Sequence, residues 1–253
     1  MSLEDARSLS HLSRVGTRAA MIPLKDDAPR ITTPFITYFL IIVNTIVFLF
    51  EVILGPAQRT IFVYQFGLVP ANITGLISGT AQIAPEGALI PVLTSMFLHG
   101  SWLHLIANMW ALWIFGDNIE DHLGHFLYLV VYLVTGIAAS VVHTFFNLNS
   151  TIPSVGASGA IAGVMGAYFV LFPRARVLTI VPFFFIFFLW LPAWIVLGYW
   201  FIAQFLSGAA TAITATSATT GGIAFWAHVG GFAAGVLLIR VFPSRPRRYH
   251  YGL

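Results

Sequence analysis

The sequence predicts an all-α membrane protein, a bundle of six transmembrane helices with a short fourth helix at its centre. Three observations predict it. Hydrophobic residues make up 58% of the chain and charged residues 8%, where a soluble domain carries roughly 25% charged residues. Six apolar segments, at 34–54, 101–116, 126–146, 158–172, 177–206 and 222–242, are separated by polar or Gly- and Pro-bearing stretches. The 12 Lys and Arg residues are divided unevenly between alternate connections. Five precede the first segment, Arg174 and Arg176 follow the fourth, and Arg240, Arg245, Arg247 and Arg248 close the chain, so that only Arg59 falls on the opposite side. The positive-inside rule then puts both termini in the cytoplasm.

Residues 1–33 mix Arg and Lys with Glu4, Asp5, Asp26 and Asp27 and read as a cytoplasmic tail. No apolar run follows a basic start there, and the acidic pair Glu4 and Asp5 argues against a mitochondrial transit peptide. The 34–54 segment is long enough to span. Residues 55–91, with Pro56, Gly67, Pro70, Gly75, Gly79, Pro85 and Gly87, form a connection expected to lie at the membrane interface. Ser101 is a plausible N-cap for the second span, and 117–122 reads as a charged turn before the third. Residues 147–157 form a polar loop. The fourth segment has 15 residues and is closed by Pro173. At helical rise it covers about 22 Å, less than the roughly 30 Å hydrocarbon core. The fifth, about 30 residues with Pro182 and Pro192, implies tilt or kinks. A Thr/Ala/Ser/Gly loop at 208–221 precedes the sixth, and 244–253 is a second cytoplasmic tail.

Polar side chains inside such segments are costly and point to function. They are His104, Asn108, His143, Ser158 and His228, with Gln204 and scattered hydroxyls. His104 and Asn108 are spaced i, i+4 and share a face. An isolated His more often joins helices by a hydrogen bond, and His143 and His99 receive that reading. His228 is followed by Gly231 and Gly235, and the fourth segment carries Gly159, Gly163 and Gly166. Two glycine rows let helix backbones approach closely. Packing alone would satisfy the glycines. Their combination with Ser158 and His228 at comparable depth, toward the outer face, favours a Ser–His dyad.

The last acidic residue of the chain is Asp121. Asp117, Glu120 and Asp121 fall across the membrane from Ser158, and neither Glu51 nor Glu86 sits in a polar helical face. The expected site is therefore a dyad without a carboxylate orienter, unlike the usual triad, with the imidazole held by packing. The backbone N–H of Ser158 at a helix N-terminus, with the His104 and Asn108 side chains, would form the oxyanion hole. No cofactor or metal is expected: His122 and His125 flank a turn without a third ligand, and no HExxH or phosphate loop with a Lys occurs. The absence of Cys excludes disulfides and thiolate chemistry. The net charge of +3 follows the topology and does not indicate nucleic acid.

These residues identify a resemblance to the rhomboid intramembrane serine proteases. Gly156-Ala157-Ser158-Gly159 matches the family's GxSG motif, His228 with Gly231 and Gly235 its last helix, and His104-xxx-Asn108, with His99 upstream, its second. Glu120 and Gly124 also fit, and Phe66-Gly67-Leu68-Val69-Pro70 looks like the prokaryotic branch. The resemblance covers about residues 35–242. It implies a serine endopeptidase cleaving transmembrane segments of membrane-protein substrates near their outer ends, with Ser158 as nucleophile and His228 as general base and then acid. It implies a prokaryotic plasma membrane as the location, and that the fifth helix and the 208–221 loop act as substrate gate and cap. Two positions depart from the pattern. Ile90-Pro91 stands where the first loop often has Trp-Arg, and Ala162 where an aromatic ring often stacks on the catalytic histidine. The alternatives are an inactive rhomboid-like scaffold for transmembrane clients, against which both Ser158 and His228 count, and a transporter, against which the lack of intramembrane carboxylates counts. Asn72 and Asn149 open glycosylation sequons of consequence only in a eukaryotic secretory pathway.

Overall fold

The computed structural model describes residues 21–183, 185–214 and 224–242. Among these, the chain forms β1 (Ile22–Asp26), α1 (Phe35–Ile53), α2 (Gly55–Phe66), α3 (Pro70–Ser78), α4 (Pro85–Thr94), α5 (Trp102–Leu123), α6 (His125–Phe146), α7 (Ser158–Leu171), β2 (Arg176–Phe183), β3 (Phe185–Pro192), α8 (Ala193–Thr214) and α9 (Phe225–Leu238). The expected residues 1–20, most of the loop after Thr214 and the tail 244–253 lie outside the described residues.

The bundle is helical, and α7 is its axis. Every residue from Gly159 to Tyr168 is buried, the pattern of a helix apolar all round and enclosed by others. Its 14 residues span about 21 Å. Helices α5, α6, α8 and α9 pack around it. Among the described residues α1, α6 and α8 are individually long and apolar enough to cross a membrane, and α5 joins the Pro85–Phe97 helical stretch through a 74° bend. The helices α7 and α9 are shorter.

Glycine decides how closely α7 meets its neighbours. A Cβ on Gly231 would lie 1.9 Å from the Gly159 carbonyl oxygen, and one on Gly235 would lie 1.9 Å from that of Gly163. A Cβ on Gly163 would lie 2.2 Å from the Thr135 Cβ of α6, and one on Gly159 would lie 2.6 Å from the Ala139 Cβ. No larger residue fits at these crossings, so the two glycine rows let α9 and α6 touch the α7 backbone.

The entry to α1 is capped from a distance. Pro34 offers no side-chain cap. Instead the buried Glu120 carboxylate of α5 accepts from the backbone N–H groups of Ile36 and Thr37, each at 2.8 Å, and from the Thr37 hydroxyl. His125 Nδ1 lies 2.6 Å from the same carboxylate. Gly124, with φ of 78°, makes the turn between α5 and α6. The 117–122 region is thus the last part of α5 and its acidic side chains cap other segments; it is not a turn.

The fifth predicted span also differs. Residues 176–192 form the hairpin β2–β3, and helix begins only at Ala193. Val177, Thr179, Ile180 and Val181 are β-branched and favour strand, and Pro182 lacks the N–H an inner helical turn requires. β1 pairs antiparallel with β2 to give the sheet order β1-β2-β3. The part of the N-terminal tail from Ile22 onward is therefore docked. Trp110 donates to the Pro23 carbonyl (2.8 Å), Tyr168 donates to Asp26, Arg30 pairs with Asp117 (3.0 Å), and Asp121 accepts from Thr32. The 208–214 part of the expected loop is the end of α8.

Residues 55–91 fold into α2, α3 and the start of α4, and they brace the loop before α7. Leu68 and Ser154 exchange backbone hydrogen bonds of 3.0 and 2.7 Å, and Ala71 N–H donates to Ser150. A Cβ on Gly67 would lie 2.5 Å from the Val63 carbonyl oxygen and 3.0 Å from Pro153, which explains glycine in the Phe66–Pro70 stretch.

Candidate active site

Ser158 is the first residue of α7, and His228 lies one turn into α9. Because Gly231 and Gly159 bring the two backbones together, the short serine side chain reaches the ring directly. Ser158 Oγ lies 2.8 Å from His228 Nε2. His228 is 8% exposed, so the pair is held mostly away from solvent while α7 still starts at a loop.

The loop is set for this purpose by backbone contacts. Gly156 N–H donates to the Ser95 carbonyl at 2.9 Å, and Gly156 has φ of 132°, a conformation that favours glycine. A Cβ there would sit 2.8 Å from His104 Nε2 and 3.5 Å from Ser158 Oγ. His104 and Ser158 therefore flank one small space that the missing side chain keeps open. Ser101 caps α5 as expected, its hydroxyl accepting from the His104 N–H at 3.2 Å. One turn on, Asn108 is buried, and its Nδ2 has no hydrogen-bond partner among the described residues. An amide donor left unpaired in a buried site costs roughly 1–3 kcal/mol, and an oxyanion would satisfy it. The free N–H groups at the α7 N-terminus add donors and a favourable dipole.

The structure supplies two contacts to His228 that sequence reasoning missed. Its Nδ1 lies 2.7 Å from Gln204 Oε1, and its ring packs against Trp200 at 5.6 Å between centroids. The ring is thus held by a hydrogen bond as well as by packing. Trp200 and Gln204 are spaced i, i+4 on α8, the same signal that drew attention to His104 and Asn108. Ala162, where the resemblance expects an aromatic, is fully buried in α7, and an aromatic ring reaches His228 from α8 instead.

A second correction concerns Glu51. It is fully buried, accepts from the His99 N–H at 3.0 Å, and faces Arg59 at 3.8 Å. Arg59 in turn donates to the carbonyls of His99 and Gly100. This cluster fixes His99, whose ring packs edge-on to His104 at 5.2 Å. With the Thr94 hydroxyl donating to the Phe66 carbonyl at 2.7 Å, it anchors the first loop without the Trp-Arg pair. His143 stays near the α6 C-terminus, beside Asn147, and lines the small cavity behind Ser158 with Ser140 and Ser154.

Asp26 lies in β1, outside the membrane-spanning helices, and meets the bundle through Tyr168. Burial raises its pKa, against the lowering effect of the hydrogen bond from Tyr168.

Comparison with known proteins gives a consistent picture. The chain is 33% identical over 152 residues to the mitochondrial rhomboid protein 1 of Saccharomyces cerevisiae, covering 58% of this chain and 40% of that one. It is 33% identical over 133 residues to the mitochondrial presenilin-associated rhomboid-like protein of Bos taurus, covering 50% and 34%. It is 31% identical over 172 residues to the rhomboid protease GluP of Bacillus subtilis, covering 65% and 31%. The matched region spans less than half the length of each of these relatives. The Rhomboid domain matches residues 86–245, a stretch that holds His104, Asn108, Ser158, Gln204 and His228. The chain is an integral membrane protein and belongs to the rhomboid family.

Proposed function

We propose that this chain is an intramembrane serine endopeptidase that cuts transmembrane segments of other membrane proteins. The observation that carries the reading is the 2.8 Å approach of Ser158 Oγ to His228 Nε2, beside donors able to receive a developing oxyanion. In this reading, Oγ attacks the scissile carbonyl carbon while Nε2 takes its proton. The carbonyl oxygen becomes an oxyanion facing the Ser158 N–H, His104 and the Nδ2 of Asn108. The C–N bond then breaks, and the imidazolium returns the proton to the leaving amine. Water repeats the sequence on the acyl-enzyme, and Ser158 regains its proton. General-base catalysis of this kind contributes about 10²–10⁴-fold.

The same reading takes residues 34–243 as one membrane domain in a lipid bilayer, with 1–33 and 244–253 on the cytoplasmic side, and transmembrane protein substrates as partners. The compartment is a separate matter. Two of the relatives above are mitochondrial by name and one is bacterial, so a prokaryotic plasma membrane has no particular support.

The test is fluorophosphonate labelling and cleavage of a model transmembrane substrate by wild type, Ser158→Ala and His228→Ala. Wild type should label and cleave, and both variants should do neither. A wild type inert in both assays would leave the scaffold reading in its place.

A further inference from the structure

The serine–histidine pair uses one edge of the His228 ring. Its other edge is also occupied: Nδ1 lies 2.7 Å from Gln204 Oε1. A buried imidazole with both nitrogens engaged has its tautomer set by its partners. An amide oxygen can only accept, so the contact requires Nδ1 to carry the proton. Nε2 is then a lone pair aimed at Ser158, the state a general base needs. The opposite amide orientation would put a donor on Nδ1 and leave Nε2 protonated, facing the nucleophile it must deprotonate.

Resting on the proteolytic reading above, we infer that Gln204 is a positioning residue: it fixes His228 in the Nδ1–H tautomer and fills, without charge, the place a carboxylate holds in a triad. Trp200, one turn earlier on α8, packs on the same ring at 5.6 Å and against Phe232, which restricts rotation of the imidazole. Ser158 faces the ring from α7, and the titratable groups toward it are His104 from α5 and His143 from α6. Among the described residues no carboxylate is hydrogen-bonded to it. A neutral orienter differs from an aspartate in a definite way. It holds ring and tautomer but stabilises the imidazolium formed during acylation less than a carboxylate would. The orienter also lies on the long helix least embedded in the protein. A smaller share of its apolar stretch is buried than in α1 or α6. The site is therefore complete only while α8 stays against α9.

The experiment compares the purified full chain with Gln204→Leu and Gln204→Glu in lipid, reading kcat, KM, the pH profile of kcat/KM and the ¹⁵N shifts of His228. Wild type should show the Nδ1–H tautomer. Gln204→Leu should lower kcat by about 10²-fold, within the range of a general base, with KM nearly unchanged, and should give a mixed tautomer signal. Gln204→Glu restores the acceptor and adds a negative charge beside the imidazolium. The added charge favours the imidazolium, so the acidic limb of kcat/KM should move to higher pH. If wild type cleaves through Ser158 but Gln204→Leu keeps its kcat and pH profile, the role of Gln204 is overturned and the proteolytic reading stands. An Nε2–H tautomer in wild type overturns it as well, whether or not the protein cleaves. If Gln204→Leu fails to fold, the Gln204→Glu profile and the wild-type tautomer decide, and an unshifted acidic limb counts against the role.

Discussion

Gly231 leaves no room for a side chain against Gly159: a Cβ placed on it would lie 1.9 Å from the Gly159 carbonyl oxygen. The obstacle is main chain in the first turn of α7, so no rotamer change can relieve it. That contact sets the distance from α9 to α7, and with it the reach from His228 to Ser158. Gly231→Ala should therefore destabilise the fold by about 2–3 kcal/mol or more, the cost of overpacking a rigid interior. Residual activity should fall further than the folded fraction. Thermal unfolding in detergent, read beside activity per folded molecule, checks both. A stable and fully active variant would mean that the helices can part without moving the dyad.

The Asn108 Nδ2 is a buried donor with no hydrogen-bond partner among the described residues. Asn108→Ala should lower kcat about 10²–10³-fold, the usual effect of one oxyanion donor, and leave KM nearly unchanged. Because no described residue accepts from Nδ2, removing it should not lower the melting temperature. Steady-state kinetics on a transmembrane substrate make the measurement, and an unaltered kcat would take Asn108 out of the oxyanion hole.

Glu120 is expected to matter for folding and not for chemistry. Glu120→Ala leaves the Ile36 and Thr37 N–H groups without their acceptor, while the Thr37 hydroxyl keeps the Tyr128 hydroxyl at 3.2 Å. Each unsatisfied buried group costs about 1–3 kcal/mol. The melting temperature should drop sharply, while Ser158 in the molecules that remain folded should label at the wild-type rate. Loss of labelling at unchanged stability would contradict this division.

Asp26 gives a pH dependence whose sign is fixed. Burial raises its folded pKa above the unfolded value, so between the two the folded state binds more protons. Stability from this group is fully present below the unfolded pKa and is lost as pH rises through the folded one. Asp26→Asn keeps an acceptor for Tyr168 and removes the charge. It should flatten that part of the stability profile and should match or exceed wild type in stability at neutral pH. Unfolding at several pH values, wild type beside variant, reads the difference. Parallel profiles would show that the charge of Asp26 is not what its burial opposes.

The sequence by itself determined much of this protein. Apolar segments and Lys/Arg asymmetry predicted a helical membrane bundle, and the shortness of the fourth segment marked the helix that proves to be the axis. The spacing His228-xx-Gly231-xxx-Gly235 marked the helix that packs on α7 and brings His228 to Ser158, because helical periodicity is local and visible in one dimension. The boundaries of the fifth span were misread for a local reason. An aromatic and β-branched run such as 177–191 is as hydrophobic as a helix, and hydropathy does not distinguish the two.

What only the tertiary structure decided are the partners supplied across the fold. Elimination of carboxylates described the absence of a charged orienter but could not find a neutral one, since nothing in the linear sequence ties Gln204 to a residue 24 positions away. Glu51 looked unremarkable until Arg59 and His99 closed around it, and Glu120 looked like a turn residue until α1 placed its free N–H groups on it. In each case the side chain acquires its role from a buried group that needs a hydrogen bond. Which group that is depends on how the helices pack, and that packing rests on backbone contacts at Gly159, Gly163, Gly231 and Gly235 that allow no side chain.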